Sequence, residues 1–282
     1  MFYSKAKKEA LQVHARTVER YNKTYAQMQG EGESLYRARQ KSLDLVQEIE
    51  ELINSIANSP KEFAAKLEKV HAERMKFRET EEFAKQAHAD AVKSGASAAA
   101  GIAGGAAVAS LAPTAAMWVA TTFGTASTGT AISALHGAVA TKAALAWLGG
   151  GALSAGGGGI AAGKALLALA GPVGWSIAGV ATGASALFLT HKNNKIAEKA
   201  MEQAREITLA GAQLNEMSAM IHTLNEETVQ LYTPLNTAFQ DLEKLKGADY
   251  QALDKECRLK LGALVNNTLS LASLVNKKLD EE

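Results

Sequence analysis

SGASAAAGIAGGAAVASLA, residues 94–112, and LGGGALSAGGGGIAAG, residues 148–163, belong to one 97-residue block that contains no Asp, Glu or Arg. This block, residues 94–190, carries two Lys, all three Trp and 19 of the 24 Gly of the chain, while both flanks are densely charged. Charged side chains normally cover the surface of a water-soluble domain, so their near absence over such a length is typical of a membrane-inserting segment.

The composition predicts an all-α chain of three regions. We expect N-terminal amphipathic, coiled-coil-like helices at 1–93, apolar glycine-rich membrane hairpins at 94–190 and C-terminal amphipathic, coiled-coil-like helices at 191–282. Residues 1–93 carry 17 Lys or Arg and 15 Asp or Glu, residues 193–282 carry 10 and 14, and the overall net charge is +1. Neither flank is a basic arm, so the pattern argues against a nucleic-acid partner.

The first ten residues, MFYSKAKKEA, lack the apolar run of a secretory signal. We therefore expect synthesis in the cytoplasm without a signal peptide, followed by membrane association or insertion when the protein is active.

The N-terminal flank has apolar residues at alternating spacings of three and four, the pattern of a coiled coil. These positions are Leu11, His14, Val18, Tyr21, Tyr25 and Met28, and, after two glycines, Leu35, Ala38, Ser42, Leu45, Ile49, Leu52 and Ile56. The sequence Ser59-Pro60-Lys61-Glu62 is typical of a helix start, and it precedes a second helix with Phe63, Leu67, Val70 and Phe77 on one side.

The C-terminal flank repeats this pattern over about nine turns. Its positions are Leu214, Met217, Ile221, Leu224, Thr228, Leu231, Leu235, Ala238, Leu242 and Leu245, with a kink expected at Pro234. Gly247 is predicted to end this helix and Asp249 to cap a final amphipathic helix with Leu253, Leu261, Leu264, Leu271 and Val275. We expect the two flanks to pack on each other as an antiparallel bundle.

Glycines divide the apolar block into segments. Breaks at 123–125, 149–151 and 171–172 leave pieces of about 18 to 25 residues, the length that crosses a hydrocarbon core. We predict four membrane helices arranged as two hairpins, because an even number returns the C-terminal flank to the side of the N-terminal flank.

Small residues recur four apart within these segments, and such smooth faces allow close helix packing in lipid. The predicted membrane-helix packing positions are Gly101, Gly105, Gly151, Gly159, Gly163, Gly179 and Gly183. Two basic residues inside the block, Lys142 and Lys164, are candidate pore-lining residues, although they could equally mark loops or extend to the lipid headgroups.

The predicted spans are only marginally hydrophobic, because Gly, Ala, Ser and Thr dilute the Leu, Ile, Phe and Val that drive insertion. This favours a protein that folds in water with the apolar block covered and then refolds in a bilayer. A permanently inserted membrane protein is the alternative.

Some short motifs resemble enzyme motifs, but the surrounding sequence argues against an enzymatic role for them. The run from Gly158 to Ala165 resembles a phosphate-binding loop but ends in Ala in place of Ser or Thr, and no Asp occurs between Asp90 and Asp241 to hold a metal. The six His show no metal-ligand spacing. We therefore expect no enzyme activity, no cofactor, no metal and no small-molecule substrate.

The arrangement of charged amphipathic helices around a Gly/Ala-rich apolar hairpin resembles the apolipoprotein L family and, more loosely, the α-helical pore-forming toxins of the cytolysin A and colicin kinds. The segment from Ala126 to Ile132 and on through 146–151 is also similar to a run found in bacterial proteins of uncertain function. These resemblances imply a bilayer-inserting helical protein that oligomerises into a pore, and they carry no site residue over to this chain.

Two functions follow from this pattern. The first is a membrane-permeabilising toxin or defence effector whose hairpins insert while the flanks drive homo-oligomer assembly. The second is a membrane-bound scaffold or accessory subunit of a membrane-remodelling system, which holds a helical partner protein through its coiled coils. The lipid bilayer is the expected partner in both cases.

Overall fold

The computed structural model describes residues 2–93, 113–126, 128–148 and 189–279. These residues are mostly α-helical and contain no β-strand, which confirms the predicted all-α class. The α-helices are α1 (Phe2–Ser55), α2 (Lys61–Lys93), α3 (Pro113–Phe123), α4 (Gly137–Leu148), α5 (Leu189–Leu242) and α6 (Lys255–Leu274). Short 3-10 helices span Ile132–Ala134, Glu243–Leu245 and Tyr250–Ala252.

Helix α1 runs without a break through Gly30 and Gly32. Each glycine costs about 1 kcal/mol relative to Ala inside a helix. Packing on both sides offsets this cost, because the flanking residues Met28 and Leu35 are completely buried. Tertiary contacts, more than local propensity, therefore hold this long helix together.

The chain forms two compact units, and each draws on both ends of the sequence. Unit 1 comprises residues 1–30 and 85–219, and unit 2 comprises residues 31–84 and 220–282. The three predicted regions are a division by composition, and their boundaries stay predictions.

Unit 2 is a bundle of four helical segments around one apolar core. Each of α1, α2, α5 and α6 contributes buried aliphatic or aromatic side chains. The core residues are Leu45, Val46, Ile49, Leu52, Ile53, Ile56, Phe63, Leu67, Val70, Leu235, Phe239, Leu242, Leu261, Leu264, Val265, Leu271 and Ala272. Most of the apolar positions predicted from periodicity in this part of the chain are buried, while Ala238, Leu245 and Leu253 are partly buried and pack against the core.

One predicted position is wrong. Leu231 is 38% exposed, and Tyr232 packs against the core beside Leu235. A step of four followed by three from Thr228 satisfies the helical period as well as three followed by four. The structure uses the first choice, which directs the larger Tyr232 ring inward.

The two inter-helix loops of unit 2 are joined at one end of the bundle. The Ala57 N–H donates to the Ala248 carbonyl at 2.9 Å, and the Tyr250 N–H donates to the Ala57 carbonyl at 2.9 Å. The Gly247 N–H also donates to Ser55 Oγ at 3.1 Å, and Gly247 has φ of 76°, which a residue without Cβ adopts at no steric cost.

Two aspartates cap the elements that follow this junction. Asp249 accepts from the Gln251 N–H and begins a 3-10 helix, whereas Asp254 accepts from the Cys257 N–H and caps α6. The sequence prediction assigned the final helix to Asp249, five residues too early. A helix N-cap needs an acceptor followed by continuous helical backbone, and Leu253 has an extended conformation between the two elements.

A buried arginine forms hydrogen bonds at the C-terminal end of α6. Arg39 is 1% exposed, and its Nη2 donates to the carbonyls of Lys277 at 2.8 Å and Leu274 at 3.4 Å. Burial lowers the Arg39 pKa to about 9. Asn276 Nδ2 donates to the Glu73 carbonyl and carboxylate, so α1 and α2 together hold the end of α6.

Helices α1 and α5 run parallel within each unit. In unit 1, His14 lies beside Gln203, and the Tyr21 ring faces Gly211. In unit 2, Glu31 contacts His222, and Ser55 contacts Gly247. The expected antiparallel packing of the two flanks is therefore wrong for their long helices. Antiparallel neighbours are instead consecutive along the chain, because a short loop reverses the direction of the chain.

Candidate membrane-active region

Helix α3 is buried on all sides over most of its length. The side chains from Ala115 to Thr121 are each at most 5% exposed, including the completely buried Met117 and Ala120. The Thr121 hydroxyl in this stretch donates to the carbonyls of Met117 at 2.9 Å and Trp118 at 3.1 Å. A helix that is apolar all round belongs in a protein core or in a membrane.

A tight turn follows α3. The Ala126 N–H donates to the Thr130 carbonyl at 2.8 Å, and the Ile132 N–H donates to the Gly124 carbonyl at 2.9 Å. Gly129 has φ of 82°, the left-handed region that favours glycine. The predicted break at 123–125 therefore coincides with the end of α3.

Gly124 lets α3 and α4 approach closely. A Cβ at this position would lie 2.3 Å from the Ala120 carbonyl oxygen, 2.9 Å from Ile132 Cδ1 and 3.1 Å from Trp147 Cγ. Ile132 and Trp147 are completely buried. Sequence analysis identified Gly124 only as a break, because its packing role depends on residues 8 and 23 positions later.

Tryptophans pack on this region from both helices. The Trp118 ring packs edge to face on Phe123, with centroids 5.5 Å apart. In the described part of the chain, the indole N–H of Trp147 is buried without a hydrogen-bond partner. A buried donor without an acceptor costs about 1–3 kcal/mol. The close packing around Trp147 therefore leaves one polar group without a hydrogen bond among the described residues.

The outer side of α4 is exposed. Val139 is 63% exposed, and Lys142 and the preceding His136 are also exposed. Thr141 Oγ1 donates to the Gly137 carbonyl at 3.4 Å. Lys142 therefore lies on the surface in this conformation, where its ammonium group is hydrated.

The predicted membrane spans differ from the described helices. The second span is interrupted, because a turn and the 3-10 helix Ile132–Ala134 lie between α3 and α4. Glycine and the tight turn replace helical hydrogen bonds there. Among the described residues, no helix combines the length and the apolar character that crossing a bilayer requires.

Most predicted site residues lie outside the described residues. These are the packing positions Gly101, Gly105, Gly151, Gly159, Gly163, Gly179 and Gly183, and the candidate pore residue Lys164. The breaks at 149–151 and 171–172 lie there as well. All of them stay predictions.

The contact between α1 and α5 in unit 1 contains buried polar side chains. His14 is 5% exposed and Gln203 8% exposed. Burial lowers the His14 pKa, and the neighbouring Gln203 amide offsets part of this effect. Burial also raises the pKa of Tyr21, on the same side of α1, to about 12. The periodic pattern predicted His14 but not Gln203, which lies outside the apolar stripe that begins at Leu214.

The corresponding helices carry an exposed ionic contact in unit 2. His222 Nδ1 lies 3.1 Å from Glu31 Oε2, and His222 Nε2 lies 3.4 Å from Glu226 Oε1. The hydrogen bond to Glu31 and the two negative charges raise the His222 pKa. The pKa values of His14 and His222 are therefore shifted in opposite directions.

Helices α1 and α2 border a cleft of about 450 Å³ in unit 2, lined by Gln47, Glu50, Glu51, Asn54, Ala64, Leu67, Glu68, His71 and Arg74. Arg74 Nη2 lies 2.9 Å from Glu50 Oε2, and Arg74 Nη1 donates to Gln47 Oε1 at 2.7 Å. Burial raises the Glu50 pKa, although Arg74 opposes this. Because Arg74 pairs with both Glu50 and Gln47, the cleft is best explained as a structural ion-pair network.

The described residues hold no cluster of His, Cys, Asp and Glu that could bind a metal ion. Cys257 is half-buried, and its hydrogen bond with Asp254 raises the thiol pKa, which disfavours the reactive thiolate. Comparison with protein-family models, with curated proteins and with solved structures found no match.

Proposed function

We propose that this chain is a membrane-inserting helical protein that oligomerises to permeabilise a bilayer, as a pore-forming toxin or defence effector does. The observation that carries the proposal is the burial of Ala115–Thr121 of α3 inside a 97-residue block without Asp, Glu or Arg. In this proposal the described conformation is the covered form, and insertion exchanges protein contacts of the apolar block for lipid contacts.

The packing around α3 is suited to such an exchange. Gly124 provides close contact with few apolar atoms, and the buried Trp147 N–H lacks a partner in the described part of the chain. Both features reduce the free energy needed to open the region. An indole ring with a free N–H is also well suited to the membrane interface, where water and headgroups accept hydrogen bonds.

The alternative proposal, a membrane-bound coiled-coil scaffold, has less support. A scaffold needs exposed apolar stripes to hold its partner helix. The stripe residues Ile49 and Leu235 are buried in the core of unit 2, and the stripe residue Leu214 is buried in unit 1. A partner helix would have to displace contacts that the chain already makes with itself.

Liposome leakage tests the proposal. Purified full-length protein should release a trapped dye from liposomes, whereas a deletion that joins Lys93 to His191 should keep a helical circular-dichroism signal and release none. The proposal fails if the full chain is inactive with every lipid and pH tried. It also fails if the deleted form pellets with liposomes as well as the full chain does.

The two lysines of the block distinguish a pore from a scaffold. A Lys at mid-bilayer costs about 2.5–3.5 kcal/mol on insertion scales, so Lys142→Leu and Lys164→Leu should maintain or strengthen membrane binding. In planar bilayers these variants should reduce conductance, and Lys→Glu should shift the preference towards cations. Exposed Lys85, outside the block, provides the matched control, because Lys85→Leu should leave conductance unchanged. Unchanged conductance and selectivity in all the lysine variants would exclude a pore lined by these residues.

A further inference from the structure

The two folded units differ more in net charge than the two flanks of the sequence do. Unit 1 carries 14 Lys or Arg against 7 Asp or Glu, a net charge of +7, while unit 2 carries 16 against 22, a net charge of −6. The separation arises because each unit combines parts of both flanks. The apolar block therefore belongs to the positively charged unit.

The first part of α1 concentrates basic side chains on one face. Of its six basic positions, the half-buried Lys7 lies on the other side of the helix, while at 100° per residue the remaining five fall within an arc of about 120°. They are the exposed residues Lys5, Lys8, Arg16, Arg20 and Lys23. We call this set the basic face.

The basic face lies opposite the buried side of the same helix. His14 and Tyr21, both at most 5% exposed, lie about 180° and 160° around the helix from Lys5. Two acidic residues, Glu9 and Glu19, share the exposed side, which leaves a net charge of +3 on this face. Val13 adjoins it and is 42% exposed, so an apolar side chain accompanies the charges.

We propose that the basic face of α1 is a docking surface for the anionic headgroups of a lipid bilayer and delivers unit 1, with its apolar block, to the membrane. The proposal rests on the proposed function and adds the lipid class that recruits the protein. Charge complementarity supports it, because clustered Lys and Arg on an amphipathic helix bind anionic lipid surfaces.

Two observations favour a lipid surface over another polyanion. The basic face belongs to the same unit as the 97-residue apolar block, which a bilayer can accept and a nucleic acid cannot. The adjoining Val13 also matches an interfacial helix, whose apolar edge enters the headgroup region. Nucleic-acid binding is therefore an outcome that the test must exclude.

Vesicle binding tests the proposal with the full chain. The measurement compares phosphatidylcholine vesicles with vesicles in which about a third of the lipid is phosphatidylserine. We expect tighter binding to the anionic vesicles, weakened as ionic strength rises from about 0.01 M to about 1 M, because the Debye length falls from about 30 Å to about 3 Å.

Substitution of all five basic-face residues by Gln should weaken binding to anionic vesicles about 100-fold or more, since each basic residue near such a surface contributes about fivefold. The control replaces five exposed basic residues of unit 2 by Gln and so produces the same change in net charge. Its positions are Lys41, Lys61, Lys69, Lys244 and Lys246. This control should bind like the parent protein.

The proposal is overturned if both variants lose the same affinity, if neither does, or if the parent binds neither vesicle. It is also overturned if the parent binds a short DNA duplex more tightly than anionic vesicles at equal salt. Dye release separates this result from the proposed function. If the protein causes leakage and the basic-face variant binds vesicles as the parent does, only the proposed docking surface is refuted. If binding depends on the basic face but no vesicle leaks, only the proposed pore is refuted.

Discussion

The same two long helices, α1 and α5, make contacts of different character in the two units. In unit 2 they share a core of Leu, Ile and Phe with α2 and α6. In unit 1 the buried residues of these two helices include the polar His14 and Gln203 and the small Ala200 and Ala204, beside Tyr25, Ile207 and Leu214. Small and polar side chains remove less apolar surface from water than Leu or Ile, so unit 1 gains less hydrophobic stabilisation per turn.

This contrast between the units indicates where local unfolding of the chain should begin. Local stability follows the density of buried apolar contacts, and regions that move are drawn from its low end. The apolar block lies in unit 1. Under the proposed function, we therefore expect unit 1 to open while unit 2 remains folded.

Large-to-small substitutions in the two units should have the largest effects and test this order directly. Ile49 in unit 2 and Ile207 in unit 1 are both fully buried. Their replacement by Ala should each cost about 2–5 kcal/mol. In urea unfolding followed by circular dichroism, Ile207→Ala should lower an early transition and Ile49→Ala a later one. A single transition lowered equally by both variants would contradict the difference between the units.

Gly124→Ala should have the next largest effect. The added methyl group would lie 2.3 Å from the Ala120 carbonyl oxygen, and overpacking of this kind typically costs about 1–3 kcal/mol. Tryptophan fluorescence should report earlier exposure of the rings around α3 and α4, and dye release should accelerate. Gly262→Ala is the control, because no atom lies within 4 Å of its added methyl group. Identical unfolding of both variants would mean that Gly124 does not limit the approach of α3 and α4.

A smaller effect should appear on changing pH. Burial lowers the pKa of His14, so its neutral form is favoured in the folded state, and stability should fall as pH decreases below about 6.5. Glu31 raises the pKa of His222, so that contact should stabilise below about pH 6.5 and weaken as pH rises through the raised value. Urea midpoints measured from acidic to alkaline pH should lose the acidic decline in His14→Gln and the alkaline decline in His222→Gln. Parallel pH profiles for the parent and both variants would show that these histidines do not cause the pH dependence of stability.

Gly30→Ala should have the smallest effect, in the stabilising direction. Gly30 lies inside α1, and no atom is within 4 Å of an added methyl group, so lower backbone entropy in the unfolded chain should contribute about 0.5–1 kcal/mol. Thermal unfolding should show a higher Tm. Gly129→Ala is the contrasting control and should be destabilising, because its φ of 82° strains any residue with a Cβ. A lower Tm for Gly30→Ala would indicate that flexibility in α1 is itself stabilising.

Much of the helical core follows from sequence periodicity. Positions such as Phe63, Val70 and Leu261 were predicted as buried and are buried, because a spacing of three and four defines one face of a helix. Periodicity could not decide between Leu231 and Tyr232, since both spacings fit 3.6 residues per turn.

The relative direction of the helices and their grouping into two units could not be predicted in the same way. A buried face indicates that a helix has a neighbour, but it does not specify which neighbour or in which direction that helix runs. The parallel arrangement of α1 and α5 depends on contacts between residues about 190 positions apart, such as Glu31 with His222. For the same reason the charge difference between the units is visible only after the chain has folded.

The joined loops of unit 2 have a consequence for biosynthesis. The core needs Phe63 and Val70 from α2 together with Leu242 from α5, yet the ribosome makes these parts far apart in time. At about 5–20 residues per second, roughly 10 to 30 s separate the emergence of Val70 from that of Leu242. The α1–α2 hairpin must wait through this interval with half of its core missing, while the entire apolar block is translated. The apolar face of the α1–α2 hairpin that α5 and α6 later cover is therefore exposed throughout this part of synthesis.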